Sequence, residues 1–167
     1  TDIVFIIMNN NNHSLLEIKE LHINFYTFEG VAHVINGLSL KIEKGEIVGI
    51  VGESGCGKSV TAQSVIRILS SPPAEVVSGE IIFNGKDLLS LPEKEMQRIR
   101  GDKIAMIFQE PMTSLNPVFT IGDQIAEPLI IHKGISKKEA YHYALEMLKK
   151  VSIPSPEQRL KEYPHQL

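Results

Sequence analysis

The sequence predicts an α/β fold, on three observations. An apolar run, Ile47, Val48, Ile50 and Val51, leads directly into a glycine-rich stretch, Gly52-Glu53-Ser54-Gly55-Cys56-Gly57-Lys58-Ser59. Apolar residues then recur at helical spacing, at Val60, Ala62, Val65, Ile66 and Leu69. Alternating strand patterns fill the first half of the chain and helical patterns the second. A core of strand, glycine-rich loop and helix is therefore expected, with an antiparallel β subdomain and with helices after it.

The elements follow in order. Residues 1–14 read as an N-terminal extension. Its apolar run Ile3 to Met8 is far short of the ~20 residues of a membrane-spanning helix and lacks the basic flank and cleavage site of a signal peptide. Leu15 to Phe28 alternates, with Leu16 and Ile18 and then Leu21, Ile23 and Phe25 as its apolar positions. Glu29-Gly30 is a turn. Val34 to Ile42 is a second strand with Leu38, Leu40 and Ile42 on one face, and Lys44-Gly45 closes it. Glu46 to Val51 has the continuous apolarity of a strand buried on both faces. Ser70-Ser71-Pro72-Pro73 stops the helix after the loop. Glu80 to Leu89 forms a hairpin about Asn84-Gly85.

Pro92 to Arg100 is a short charged helix ended by Gly101, and Lys103 to Phe108 a second buried strand. Thr120 opens a helix that Pro128 interrupts. Ser136-Lys137-Lys138-Glu139 has capping-box form ahead of a helix whose apolar face is Ala140, Ala144, Met147, Leu148 and Val151. Ser155-Pro156 starts a last short helix.

Composition bounds the function. The 167 residues are 43% hydrophobic, enough for a packed core, and hold 17 basic against 20 acidic residues. That balance argues against a broad nucleic-acid or anionic-membrane surface and leaves room for a local patch. Cys56 is the one cysteine, so no internal disulfide or cysteine metal cluster exists. The six histidines show no metal-ligand spacing.

Residues 52–59 match G-x-x-x-x-G-K-[ST] in full, in the strand-to-helix context that the motif requires. Glycines let backbone N–H groups close on phosphate oxygens. The helix N-terminus adds partial positive charge. Lys58 brings a full charge to the β/γ phosphates, and the Ser59 hydroxyl suits Mg²⁺. The cofactor-binding set on this reading is Gly52, Glu53, Ser54, Gly55, Cys56, Gly57, Lys58, Ser59 and Val60. The plain alternative is a glycine turn capping a structural helix. Cys56 reads as a small filler, with a thiol activated by the helix end and Lys58 as the alternative.

Three segments carry a family resemblance over about residues 15–167. Glu46 to Gly55 and Met106-Ile107-Phe108-Gln109-Glu110-Pro111-Met112-Thr113-Ser114-Leu115-Asn116-Pro117 resemble the P-loop and Q-loop of ABC transporter ATPases. The latter, with Tyr163-Pro164-His165-Gln166-Leu167, is similar to the oligopeptide/dipeptide importer branch. The resemblance implies ATP and Mg²⁺ as ligands. It implies Lys58 and Gln109 as catalytic, Ser59 and Gln109 at the metal, and Phe25 (or Tyr26 or Phe28) stacked on adenine. It implies two partners: transmembrane permease subunits facing residues 110–117, and a second ATPase subunit. The location implied is the cytoplasmic face of the plasma membrane, held there through partners.

The domain division expected is 1–14, then 15–109 as nucleotide-binding core, then 110–167 as Q-loop and start of the helical subdomain. Val60 departs from the hydroxyl residue common at its position. No apolar run ending in Asp-Glu occurs, nor a Ser-Gly-Gly signature, so the fold is expected to be incomplete and to bind nucleotide without turning it over. The run Ile47 to Val51 is then expected to lack a strand partner and expose apolar surface. The other reading is a nucleotide-binding regulatory or interaction module without a transport partner.

Overall fold

The computed structural model describes residues 14–108 and 114–166. The expected extension 1–14 thus lies outside the described residues except for Ser14, and so does the Gln109 to Thr113 stretch. The chain divides into two compact units, Thr1–Gln97 and Arg98–Leu167.

The first unit is built on a four-stranded antiparallel sheet of order β2-β1-β3-β4. Its strands are β1 (Ser14–Thr27), β2 (Gly30–Glu43), β3 (Ala74–Phe83) and the short β4 (Lys86–Asp87). Local chemistry sets the turns. Asn84 (φ 48°) and Gly85 (φ 77°) both take the positive φ that a two-residue hairpin needs. Alternation sets the faces: Leu16, Ile18, Leu21, Ile23, Ile81 and Phe83 are buried.

The parity of β1 changes between Ile18 and Leu21. The register to both neighbouring strands shifts there, and Glu20 sits at φ 44°. This is a bulge, which moves the apolar set back to the core face. Its neighbours are shaped to it. A Cβ on Gly79 (φ 105°) would meet the Glu20 carbonyl oxygen and Leu21 Cα at 2.6 Å. The Glu20 N–H donates to Ser39 Oγ at 3.0 Å, and the Ser39 hydroxyl donates back to Glu20 Oε1 at 2.9 Å.

Helix α1 (Lys58–Val65) follows the glycine-rich loop and buries Val65. It ends before the expected Leu69, with Arg67 at φ 53°. The Arg67 guanidinium donates to the carbonyls of Leu88 and Leu91 at 3.1 and 2.6 Å. Helix α2 (Glu93–Ile99) buries Met96 completely.

The second unit packs α3 (Ile121–Lys133) against α4 (Lys137–Lys150), with α5 (Pro156–Arg159) and a final 3₁₀ turn, Pro164–Gln166. Both long helices start as the sequence predicts. Thr120 accepts a hydrogen bond from the Asp123 N–H, and Ser136 from the Glu139 N–H. The core is Ile121, Ala144, Leu148 and Leu160. No helix among the described residues is long and apolar enough to cross a membrane.

Three expectations need correction. Glu46 to Val51 is not a buried strand: only Ile47 makes a bridge, and Ile47 and Val51 are 68% and 81% exposed. Lys103 to Phe108 is likewise not a strand; Ile104 makes a single bridge to Arg100, and Ile107 is 98% exposed. The reason is common to both. A strand needs neighbours to pair its N–H and C=O groups, and no described strand flanks either run. The apolar surface expected at Ile47 to Val51 is accordingly open. On α4, Met147 and Val151 are exposed rather than core, since Ala140, Ala144 and Leu148 fill the contact with the rest of the unit.

Candidate nucleotide-binding site

The loop from Gly52 to Gly57 runs without regular structure into α1. Two of its glycines hold positive φ, Gly55 at 81° and Gly57 at 92°. Gly57 is the N-cap of α1, and no side chain caps that end. The first turn carries no acidic residue either. Its N–H groups and the positive helix end are therefore left for an outside anion.

Space also dictates glycine here. A Cβ on Gly57 would sit 2.6 Å from Ile35 Cδ1 and 3.1 Å from the Val34 carbonyl oxygen, so the loop end is pressed against β2. A Cβ on Gly52 would collide with Cys56 Sγ at 2.5 Å. The Cys56 thiol thus lies over the first glycine, on a residue that is itself exposed.

Lys58 is 5% exposed, yet its ammonium is fully engaged. It donates to the carbonyls of Gly52 at 2.9 Å and Glu53 at 2.7 Å, and lies 3.6 Å from Cys56 Sγ. The Cys56 N–H also donates to the Glu53 carbonyl, at 3.3 Å. The lysine therefore laces the start of the loop to the start of the helix. The two carbonyls bring no counter-charge, so an outside anion can pair with the ammonium in their place.

Two buried hydroxyls support the helix from within. Thr61 Oγ donates to the Gly57 carbonyl at 3.0 Å, and Ser64 Oγ to the Thr61 carbonyl at 2.7 Å. Sequence reasoning missed these, and also missed Val34 and Ile35 as the wall behind Gly57. Thr61 and Ser64 lie in α1 itself but belong to no motif, and Val34 and Ile35 belong to β2, which meets the loop only after folding. A cavity beside the loop is lined by Glu20, Asn36, Ser39, Cys56, Lys58 and Thr61, among others.

The remaining predicted residues fall as follows. Glu53, Ser54 and Ser59 are exposed on the loop and first helical turn, and Val60 is half-buried. Phe25 is half-buried in β1, paired with Ala32 and Ala74, and does not line that cavity. Tyr26 is 48% exposed and Phe28, at the hairpin tip, is fully exposed. Gln109 lies outside the described residues.

A glycine cradle, an uncapped helix end and a lysine laced across them define the class of phosphate-loop proteins. Within that class, the chain belongs to the ABC transporter family, whose pattern matches residues 35–167. It is 52% identical over 153 residues to a probable peptide ABC transporter ATP-binding protein of Sinorhizobium fredii, covering 92% of this chain and 46% of that protein. It is 51% identical over 152 residues to a dipeptide transport ATP-binding protein of Bacillus subtilis, covering 91% and 45%. The chain thus spans about half the length of the curated relatives it matches. Among solved structures it resembles the dimeric ATP-binding cassette MJ0796 in a post-hydrolysis state bound to ADP and Pi. There the TM-score is 0.78 at 27% identity, over 91% of this chain and 62% of that one.

Proposed function

We propose that this chain carries the phosphate-binding portion of the ATPase subunit of an ABC importer for peptides or related small solutes. The observation that carries the reading is Lys58: a buried ammonium held by the Gly52 and Glu53 carbonyls at the mouth of an uncapped helix. An ATP triphosphate tail supplies the anion such a cradle lacks. Similarity to peptide-transport relatives supports the substrate class.

The work of the chain's own residues follows from the geometry. N–H groups of the loop and of the first turn of α1 grip the phosphate oxygens, and Lys58 neutralises charge between the β and γ groups. The Ser59 hydroxyl, exposed on the first turn, fits a divalent cation. A Mg²⁺ ion held at the Ser59 hydroxyl would supply positive charge to the phosphate groups of ATP. By the family resemblance, Gln109 would act toward the γ-phosphate, and an aromatic ring of β1, Phe25 first, would stack on adenine. Residues 110–117 face transmembrane subunits at the cytoplasmic face of the membrane, and a second ATPase subunit completes the hydrolytic site.

Calorimetry with Mg-ATP tests this. Wild-type chain binds with measurable heat, and Lys58→Ala binds at least about 100-fold more weakly, as loss of a desolvated charge contact worth ~3 kcal/mol implies. Equal heats for the two proteins, or none for folded wild type, overturn the reading. Copurification of the intact subunit with two transmembrane proteins separates a transporter from a soluble regulatory module.

A further inference from the structure

One side chain in the second unit makes more backbone contacts than any helix needs. Gln124 lies in the first turn of α3, half-buried. Its Oε1 accepts from the Asn116 N–H at 2.9 Å. Its Nε2 donates to the Asn116 carbonyl at 2.9 Å and to the Phe119 carbonyl at 3.0 Å. The carboxamide thus satisfies three main-chain groups of the preceding loop, using both its acceptor and its donors. Asn116 adds an internal tie, its Oδ1 accepting from the Val118 N–H at 3.2 Å.

The segment held this way is the end of the stretch that follows Gln109. With its backbone fixed, the loop turns two large apolar side chains outward, Val118 at 71% and Phe119 at 52% exposure. The helix needs none of this, since Thr120 already caps it and its Oγ accepts from the Asp123 N–H at 3.1 Å. Three bonds spent on loop carbonyls and an amide therefore serve the loop's shape. An unclamped loop would sample many conformations, and a partner would have to order it on binding.

We infer that Gln124 is a positioning residue: it pre-organises residues 116–119, and through them sets how tightly the protein holds its transmembrane partner. This rests on the proposed reading that the neighbouring 110–117 stretch faces that partner.

The test uses the intact subunit and two variants. Gln124→Ala removes the clamp. Gln124→Glu keeps its length and one acceptor but loses both N–H donors, so it guards against a loss of packing. Hydrogen exchange at the Asn116 amide is expected to quicken about tenfold in Gln124→Ala. ATP affinity stays within error of wild type in both variants, and the loss of association exceeds what any fall in the urea midpoint accounts for, which a merely structural role would not allow. Association with the copurified transmembrane subunits, measured by biolayer interferometry in detergent, weakens at least about tenfold in both. Unchanged exchange, or equal association by wild type and both variants, overturns the inference alone. Failure of wild type itself to associate overturns the functional reading and this inference with it.

Discussion

Replacing Gly57 by alanine isolates what the loop geometry contributes, because Gly55 provides an internal control. Both residues hold positive φ, 92° and 81°. An L-residue in that region costs ~1–2 kcal/mol. At Gly55 nothing lies within 4 Å of the added methyl, so strain is the whole effect. At Gly57 the methyl also meets Ile35 Cδ1 at 2.6 Å and the Val34 carbonyl at 3.1 Å. The Ile35 terminus can rotate, but the carbonyl belongs to a paired strand and yields little. Overpacking of this kind adds ~1–3 kcal/mol. Gly55→Ala is therefore expected to lose about tenfold in the product of stability and ATP affinity, and Gly57→Ala about tenfold to 100-fold more. Calorimetric Mg-ATP affinity and urea midpoints, taken on both variants, give that product. If Gly57→Ala matches Gly55→Ala within twofold, the loop is not pressed against β2 and the account of the cradle fails.

Further outcomes follow from the same geometry. Gly79→Ala places a methyl against rigid backbone at 2.6 Å and at φ 105°, so thermal unfolding should show a loss of more than about 3 kcal/mol or no folded protein. Thr120→Ala removes the α3 cap and should lower the urea stability of the second unit by about 1 kcal/mol, a shift below 0.2 kcal/mol counting against the cap. The Asp123 carboxyl is held at about 2 by hydrogen bonds from Lys137 first, then Tyr141 and Thr120. Its folded value lies below its unfolded value, so its contribution is present above about pH 4 and fades as pH falls toward 2. Because the Lys137–Asp123 pair is solvent-exposed, that contribution stays below about 1 kcal/mol. The urea-midpoint gap between wild type and Asp123→Asn should accordingly narrow between pH 5 and pH 2, and a constant gap would remove the carboxylate from the account.

The long chain segments differ in how openly the residues declare them. Thr120, Ser136, the Asn84-Gly85 turn and the run from Gly52 to Ser59 act through atoms within a few residues of themselves, and each stands where the sequence indicates. The break in alternation between Ile18 and Leu21 is also visible in the sequence. Which residue absorbs it is not, because Glu20 reaches φ 44° only with Gly79 beside it and Ser39 bonding to it. The same limit explains Ile47 to Val51 and Lys103 to Phe108. Their apolar composition suits a buried strand, but burial and pairing are gifts of neighbours that no local pattern encodes.

By itself, the sequence determined the chemistry on offer: a glycine loop, a lysine, a serine and a helix start, in the order a phosphate requires. Tertiary structure alone decided how that chemistry is held. It set Gly57 against Val34 and Ile35 of β2, and it seated the Glu20 bulge between Gly79 and Ser39. Helix caps and turns are short-range events governed by covalent neighbours. The wall behind a loop and the pairing of a strand depend on residues tens of positions away, whose approach is settled only when the whole unit packs.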